Sequence, residues 1–569
     1  IDPRKTGFAG RADLWLSPRP GSDGALALAM ARVALEEGLA DQGFLSRFSN
    51  APFLVRGDTG RFLRAAELEV GAAVDGFLAW DLDEGAAVAV GSARDSARLA
   101  SSGSFTVQTL AGPVLCCPAH SHYADACRSM SLARAEALTG VPAPQIRSAA
   151  RLMFEAGPAG FFTWTGLCQQ SDATQTTRAL CLLYALTGQL DAPGGNVLFP
   201  RPTLDDVSGL ELLPAGMLEE TLGRAQRPLG PGRRGWLSAR DLDQALAAPG
   251  AAPQGLLAFG GNPVATKPMS PDFARRLDRL SFFAITELFM TPTARLADIV
   301  LPVASAWERE GLAAGFQVSA RAEAHLQLRP ACVAPRGESR ADVWIVFELA
   351  KRLGLAEHFF GCDSERALRH VLEPTGITLE QLRERPQGIT LELPIRHRKY
   401  VTNGFATPTR RLEIYSEAFL DHGHAPVPLG DTPPKTSDDW PLTLLSVKQV
   451  NFCHSQMREL ESLRRSTPEP VAEINPKTAA SRGIADDSWM RISTPRGSLA
   501  LKARFNPSLD PGLVCASYGW HEAMQPEVVG GLPPDVTLSF AAVVDPSASD
   551  SISGSDALKR VPCDAKPLR

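Results

Sequence analysis

The stretch from Gly24 to Glu37 is apolar nearly all the way round until Arg32, with Leu26, Met30 and Val33 on one face and Leu28 and Leu35 beside it. The spacing predicts a helix, and a helix with no polar stripe belongs in an interior. Ser22 or Asp23 stands where its N-cap is needed, and Gly38 where it stops. Just upstream, Leu14-Trp15-Leu16 reads as a short apolar strand and Arg19-Pro20-Gly21-Ser22 as a turn. Strand, turn and buried helix together point to an α/β layer.

At 569 residues the chain is too long for one core. Residues 1–165 read as one α/β domain, with a second helix from Pro144 to Glu155 and a sheet edge with loops over 85–110. Residues 166–435 open with a helix whose apolar side carries Leu180, Leu183, Tyr184 and Leu186, stopped by Thr187-Gly188. After a Pro/Gly-rich stretch at 226–235, strand-like runs at Leu256–Phe259, Phe282–Thr286 and Ile299–Leu301 each meet a turn, giving a second α/β domain. The Pro-, Asp- and Thr-rich segment 424–440 reads as a linker. Residues 436–569 are mostly β, with a hairpin across Thr494-Pro495-Arg496-Gly497, and long enough for a small closed barrel. The expected class is α/β: two Rossmann-like domains and a C-terminal β-barrel.

Composition excludes several functions. A net charge of −5 without a long basic run argues against nucleic acid or an anionic membrane as partner. No apolar run reaches the length of a membrane span. The ten cysteines contain no CxxC pair, so they form neither a disulfide scaffold nor an iron–sulfur or zinc ribbon pattern. Cys117, His120 and His122 invite a metal reading, rejected because only the lone Cys127 follows them. The chain starts at Ile1, as if an upstream part were missing, and no signal peptide is visible. The compartment, bacterial cytoplasm or periplasm, stays open.

Several segments fall in a telling order: Ile1-Asp2-Pro3-Arg4-Lys5-Thr6, Ala12–Leu16, Arg19–Gly24, Trp164–Leu167 with Gln169, Leu186–Asp191, Pro193–Asn196, Gly261-Asn262-Pro263, Ala297–Pro302, Glu308–Gly311, His454-Ser455-Gln456 and Glu473–Pro476. Together they resemble the dimethyl sulfoxide reductase family of molybdopterin enzymes over essentially the whole chain. The resemblance implies the second, third and fourth of the family's four domains. It implies a cofactor of two molybdopterin guanine dinucleotides holding molybdenum or tungsten. A [4Fe–4S] cluster and the protein ligand to the metal are expected upstream of Ile1, so this length alone is expected to be inactive. Partners implied are a small-molecule substrate and an iron–sulfur electron-transfer subunit.

The resemblance assigns Gly21, Ser22 and Asp23 to one guanosine, where a carboxylate can accept two hydrogen bonds from guanine. Asp2, Arg4 and Lys5 would contact ribose and phosphate of the same dinucleotide. Thr165 and Gln169 would line the pterin region, where a buried amide can pair with ring nitrogens and oxygens. Asn262, Thr286, Glu287 and Arg309 would form the second guanosine site, at the carboxyl ends of sheet strands. Ser446, Lys448, His454 and Ser455 would wrap pterins and phosphates, with Lys559 reaching the same region. Arg201 could face a substrate funnel. The expected activity is oxo transfer or two-electron redox on a small substrate. The segment Pro193–Arg201 resembles the branch of polysulfide, thiosulfate and arsenic enzymes and acetylene hydratase more than nitrate or formate enzymes. The alternatives are a non-redox hydratase of the same fold and a metal-free structural or electron-transfer subunit.

Overall fold

The structure, a computed structural model, describes residues 1–568 apart from 75, 91–97, 249–252, 269–271, 317, 431–436 and 525–529. Parts of the expected 85–110 loops and of the 424–440 linker thus lie outside the described residues.

The apolar helix forms as α1 (Asp23–Glu36), buried at every position from Gly24 to Ala31 and again at Val33 and Ala34. Alanines at 25, 27, 29, 31 and 34 leave its surface thin, so other helices can approach its axis. After α2 (Gln42–Phe48) come three that pack on it: α3 (Ala119–Ser129), α4 (Leu132–Thr139) and α5 (Ala143–Glu155). The short α6 (Thr165–Cys168) then leads to α7 (Ala173–Ala185), which also packs on α1. Gly38, at φ +67°, lets the Leu39 N–H reach back to the Ala34 carbonyl and close α1. Ser22 occupies the N-cap position without capping, because its hydroxyl donates instead to the Arg19 carbonyl at 2.6 Å.

The expected strand at Leu14–Leu16 does not form. The Asp2 N–H reaches the Leu16 carbonyl at 3.1 Å and the Trp15 indole reaches the Asp2 carbonyl at 2.8 Å. Pro3 has no N–H to extend the ladder, so the two segments lie side by side as irregular chain. The first strands, β1 (Leu54–Arg56), the hairpin β2 (Leu78–Asp81)–β3 (Ala86–Ala89), β4 (Phe105–Thr109) and β5 (Gly112–Pro118), all pair antiparallel. Among the described residues the parallel sheet of the α/β class lies elsewhere: β6 (Gly255–Phe259), β7 (Phe282–Glu287) and β8 (Ile299–Pro302) match the three strand-like runs. A small antiparallel sheet of β9 (Gly311–Ala314), β10 (His325–Arg329) and β11 (Ile389–Thr390) follows.

The core does not divide at residue 165. Leu182, Leu183 and Leu186 share the α1 core, as do Ile414, Tyr415 and Val427 from far downstream. Asn50 fixes that return crossing, accepting from the Ile414 N–H at 2.9 Å and donating to the Tyr415 carbonyl at 2.7 Å.

The C-terminal strands are β12 (Leu442–Val447), β13 (Val471–Ile474), β14 (Trp489–Thr494), β15 (Gly497–Phe505), β16 (Leu513–Ser517), β17 (Val536–Thr537) and β18 (Val561–Pro567). They follow the order β13-β16-β12-β18-β14-β15, and β13 also pairs β15, so the sheet closes on itself. β17 adds to β15 outside the ring. The alternating burial of β14 shows one side chain in two pointing into the barrel core. Mixed α/β layers with a C-terminal barrel are therefore the architecture.

Candidate functional site

Two pairs of parallel strands deliver the site's loops. Phe259 of β6 stands in register with Thr286 of β7, so Gly260-Gly261-Asn262 and Glu287 emerge together at the carboxyl end of that sheet. Val447 of β12 stands in register with Ser517 of β16, so Lys448 and Tyr518 emerge together from the barrel. Parallel strands present such ends without hairpin closure, which is why ligands gather there.

The structure joins these ends. Asn262 is buried, its amide facing the Ser455 hydroxyl at 3.4 Å, while its carbonyl accepts from Thr293 at 3.0 Å. The Tyr518 hydroxyl donates to the Thr266 carbonyl, and Ser539 donates to the Ala265 carbonyl at 3.1 Å. On the other flank, Leu558 N–H donates to the Gln169 carbonyl at 3.1 Å, and Arg4 pairs with Glu473 of β13, its Nε 2.9 Å from the carboxylate. Arg560 covers Gly21, its guanidinium 3.4 Å from the Gly21 carbonyl and 3.2 Å from the Ser171 hydroxyl. Gly21 sits at φ +82°, and a Cβ there would run into that guanidinium. The barrel is thus clasped by the α1 lobe on one side and the β6–β7 sheet on the other.

Between the clasps runs a polar seam. Asp23, at the first turn of α1, is pushed up to about 6 by burial, with Asp172 and Asp2 adding repulsion; backbone N–H groups of Asp23 and Gly21 pull the other way. Among the described residues no basic side chain forms an ion pair with it. Lys559 donates to the Ser446 carbonyl and is pushed down to about 8 by burial and by Lys448, partly opposed by Cys515 and Asp2. Lys448 Nζ lies 3.2 Å from the His454 ring nitrogens and 5.0 Å from the centre of the Tyr518 ring. Burial, then Lys448, Lys267, Lys559 and Arg458, hold His454 below the usual imidazole range. The seam therefore runs from Asp23 through Asp2, Lys559, Lys448 and His454 to Ser455 and Asn262.

Three buried groups along it have no hydrogen-bond partner among the described residues: the Ser446 hydroxyl and the side-chain oxygens of Gln169 and Gln170. A buried polar atom left unpaired costs roughly 1–3 kcal/mol. Clustered cations with orphaned polar groups suit an anionic ligand bearing further hydrogen-bonding groups.

Other expected residues are placed differently. Lys5 is exposed, its ammonium 5.5 Å from the Trp15 ring centre. Thr165 begins α6 and is half-buried. Thr286 is fully buried and donates to Asp342 at 3.0 Å. Glu287 accepts from the Leu288 N–H at 2.8 Å and is raised by burial, with Glu459 of the barrel loop adding repulsion. Arg309 has a buried Nε without a partner among the described residues, and no hydrogen bond or ion pair there joins it to Asn262 or Glu287. Arg201 is engaged by Glu323. His120 contacts the Ser101 carbonyl at 3.1 Å and His122 lies against the Tyr415 ring, so their polar atoms do not converge with Cys117. Residues absent from the sequence reading include Lys267, Arg458, Glu459, Gln170, Arg560 and His521. His521 is buried, pushed down to about 4 by burial, and 4.0 Å from Glu459. Their positions follow from chain crossings that no local pattern encodes.

A family model described as molybdopterin oxidoreductase matches residues 1–352, and one described as molydopterin dinucleotide binding domain matches residues 442–562. From Halobacterium salinarum, a putative dimethyl sulfoxide reductase catalytic chain is 29% identical over 91% of this chain and 61% of its own length. Acetylene hydratase of Syntrophotalea acetylenica is 24% identical over 91% of this chain and 66% of its own. The solved structure of acetylene hydratase from Pelobacter acetylenicus superposes with a TM-score of 0.75 at 22% identity, covering 100% of this chain and 73% of that one. The chain thus spans less than two thirds of the length of these curated relatives.

Proposed function

This chain belongs to the molybdopterin oxidoreductase family, and from that premise we propose that it grips two molybdopterin guanine dinucleotides, one against each lobe, for two-electron or oxo-transfer chemistry on a small substrate. The observation that carries the reading is the seam from Asp23 to Asn262, with its cations and orphaned polar groups. Asp23 would accept the N1–H and amine of one guanine; a carboxylate whose charged neighbours are Asp172 and Asp2 gains most from that pair of donors. Asp2 and Arg4 would lie along its ribose and phosphates, and Gln169 with Ser446 would meet a pterin. Asn262 and Glu287 would take the second guanine, with Lys448, His454, Ser455 and Lys559 on phosphates and pterins between them. When bound, the cofactor's metal, molybdenum or tungsten, supplies the electron-pair chemistry.

Because the chain spans less than two thirds of its relatives, the reading gives it cofactor holding and leaves turnover to the whole protein. A [4Fe–4S] domain and an iron–sulfur partner subunit belong to the same proposal, as does a preference for the polysulfide, thiosulfate and arsenic branch. A hydratase is the second reading, because acetylene hydratases stand among the relatives in both sequence and structure. Viologen-linked turnover of the full-length holoprotein tests the choice. Dye oxidation or reduction with a sulfur or arsenic oxyanion is expected. Hydration of an alkyne without dye turnover would favour the second reading. An empty scaffold fits poorly, since a charged cleft without a ligand leaves Asp23 and the lysines uncompensated. Absence of both molybdenum and tungsten in holoprotein from a supplied host would overturn that judgement.

A further inference from the structure

The loop after β12 carries His454 and Ser455, yet its conformation is unfavourable by itself. His454 sits at φ +54°, a left-handed backbone that a non-glycine residue adopts only when its surroundings impose it. Arg458 surrounds it. Its side chain is 1% exposed, its Nε donates to the His454 carbonyl at 2.9 Å, and it also donates to Gln449 at 3.1 Å and to the Tyr518 carbonyl. The guanidinium lies 4.4 Å from the Phe452 ring centre and 4.7 Å from that of Trp520. No carboxylate forms an ion pair with it among the described residues, and burial pushes it down to about 9. From the opposite side Gly519 presses on the same peptide: at φ +95°, a Cβ there would collide with the His454 carbonyl and the Ser455 N–H.

Resting on the two-dinucleotide reading, we infer that Arg458 and Gly519 form a clamp that positions His454 and Ser455 for a diphosphate-bearing ligand. Arg458 holds the His454 carbonyl, and Gly519 leaves room for the turn. Ser455 is thereby set against Asn262 and the His454 ring against Lys448. The clamp links the two strand ends of the barrel, because Arg458 bridges the 449–454 loop and the chain leaving β16. Arg458 is a positioning residue here. It shapes the loop through hydrogen bonds to two carbonyls and one amide, which a lysine ammonium cannot reproduce in the same plane.

The test uses the 569-residue chain and guanosine 5′-diphosphate as probe, with affinity by calorimetry and folding by circular dichroism and thermal melting. Wild type is expected to bind. Arg458→Lys, which keeps the charge, and Gly519→Ala, which leaves every charge in place, are each expected to weaken binding about tenfold or more with the folded spectrum retained. Equal affinity in both variants would overturn the clamp while leaving the two-dinucleotide reading intact. Loss in Arg458→Gln with full rescue by Arg458→Lys and no effect of Gly519→Ala would also overturn it, since charge alone would then explain the result. Failure of the wild type to bind would overturn the underlying reading and the clamp with it. Should Arg458→Lys not fold, Gly519→Ala, read the same way, decides the matter.

Discussion

On the proposed two-dinucleotide reading, the two lobes that clasp the barrel would meet the same chemical problem in opposite states of readiness. At the α1 lobe, Asp23 is half-buried, raised to about 6 and without an ion-pair partner among the described residues. At the β6–β7 lobe, the matching groups are already occupied: Asn262 by Thr293 and Ser455, Thr286 by Asp342, and Glu287 by the Leu288 N–H. One site is poised and electrostatically unfavourable; the other is knitted together by its own bonds. A ligand at the first would give donors to a carboxylate that desolvation disfavours, whereas at the second it would have to replace hydrogen bonds of similar worth. The first should therefore dominate affinity and cost stability, whereas the second should add stability.

The largest expected effect follows from that contrast. Asp23→Ala should weaken guanosine diphosphate binding about 100-fold, the equivalent of roughly 3 kcal/mol for a charged bidentate pair. Titration calorimetry checks it, and an unchanged affinity would break the comparison.

Next comes a stability effect of the same residue. Between about pH 4 and pH 6 the folded chain holds a proton on Asp23 that the unfolded chain has released. Stability therefore declines as pH rises through that window and stays lowered above it. Asp23→Asn should remove the decline and raise stability at pH 7.5 by about 1–3 kcal/mol, with little change at pH 4. Denaturant melts at both values would show it; destabilisation at pH 7.5 would contradict it.

At the other lobe the sign reverses. Asn262→Ala should destabilise by about 1–2 kcal/mol, because the Thr293 N–H and hydroxyl lose their acceptor, and should weaken nucleotide binding only about tenfold. Smallest is Thr286→Val: about 1 kcal/mol of stability and no change in nucleotide affinity, since its hydroxyl serves Asp342. Thermal melts with titration separate these two, and a larger affinity loss at Asn262 than at Asp23 would invert the account.

The sequence made some of this visible and hid the rest for physical reasons. α1 and strands β6 to β8 were legible because periodicity and turn residues are local signals. Leu14–Leu16 misled, since its apolar pattern suits a strand while Pro3 opposite withholds a donor. Asp23 and Asn262 became candidates through the family resemblance, because at a helix or strand end alone each reads equally as a capping residue. Arg458, Lys267 and Glu459 were not, because an arginine stacked on Phe452 and Trp520 looks like any surface arginine until the fold buries it. Arg201 read as a surface arginine before a funnel residue, and its engagement by Glu323 became visible only with the two segments side by side.

The central claim is that both lobes hold a guanine nucleotide against the shared barrel. It is tested most directly by irradiating the chain with 8-azidoguanosine diphosphate and sequencing the labelled peptides, with bound nucleotide counted per chain. The account predicts two nucleotides per chain and labels in two places, one around residues 19–24 and the other around 260–290, with the first label lost in Asp23→Ala. Label confined to outer surfaces, or no specific label at either place, would contradict it.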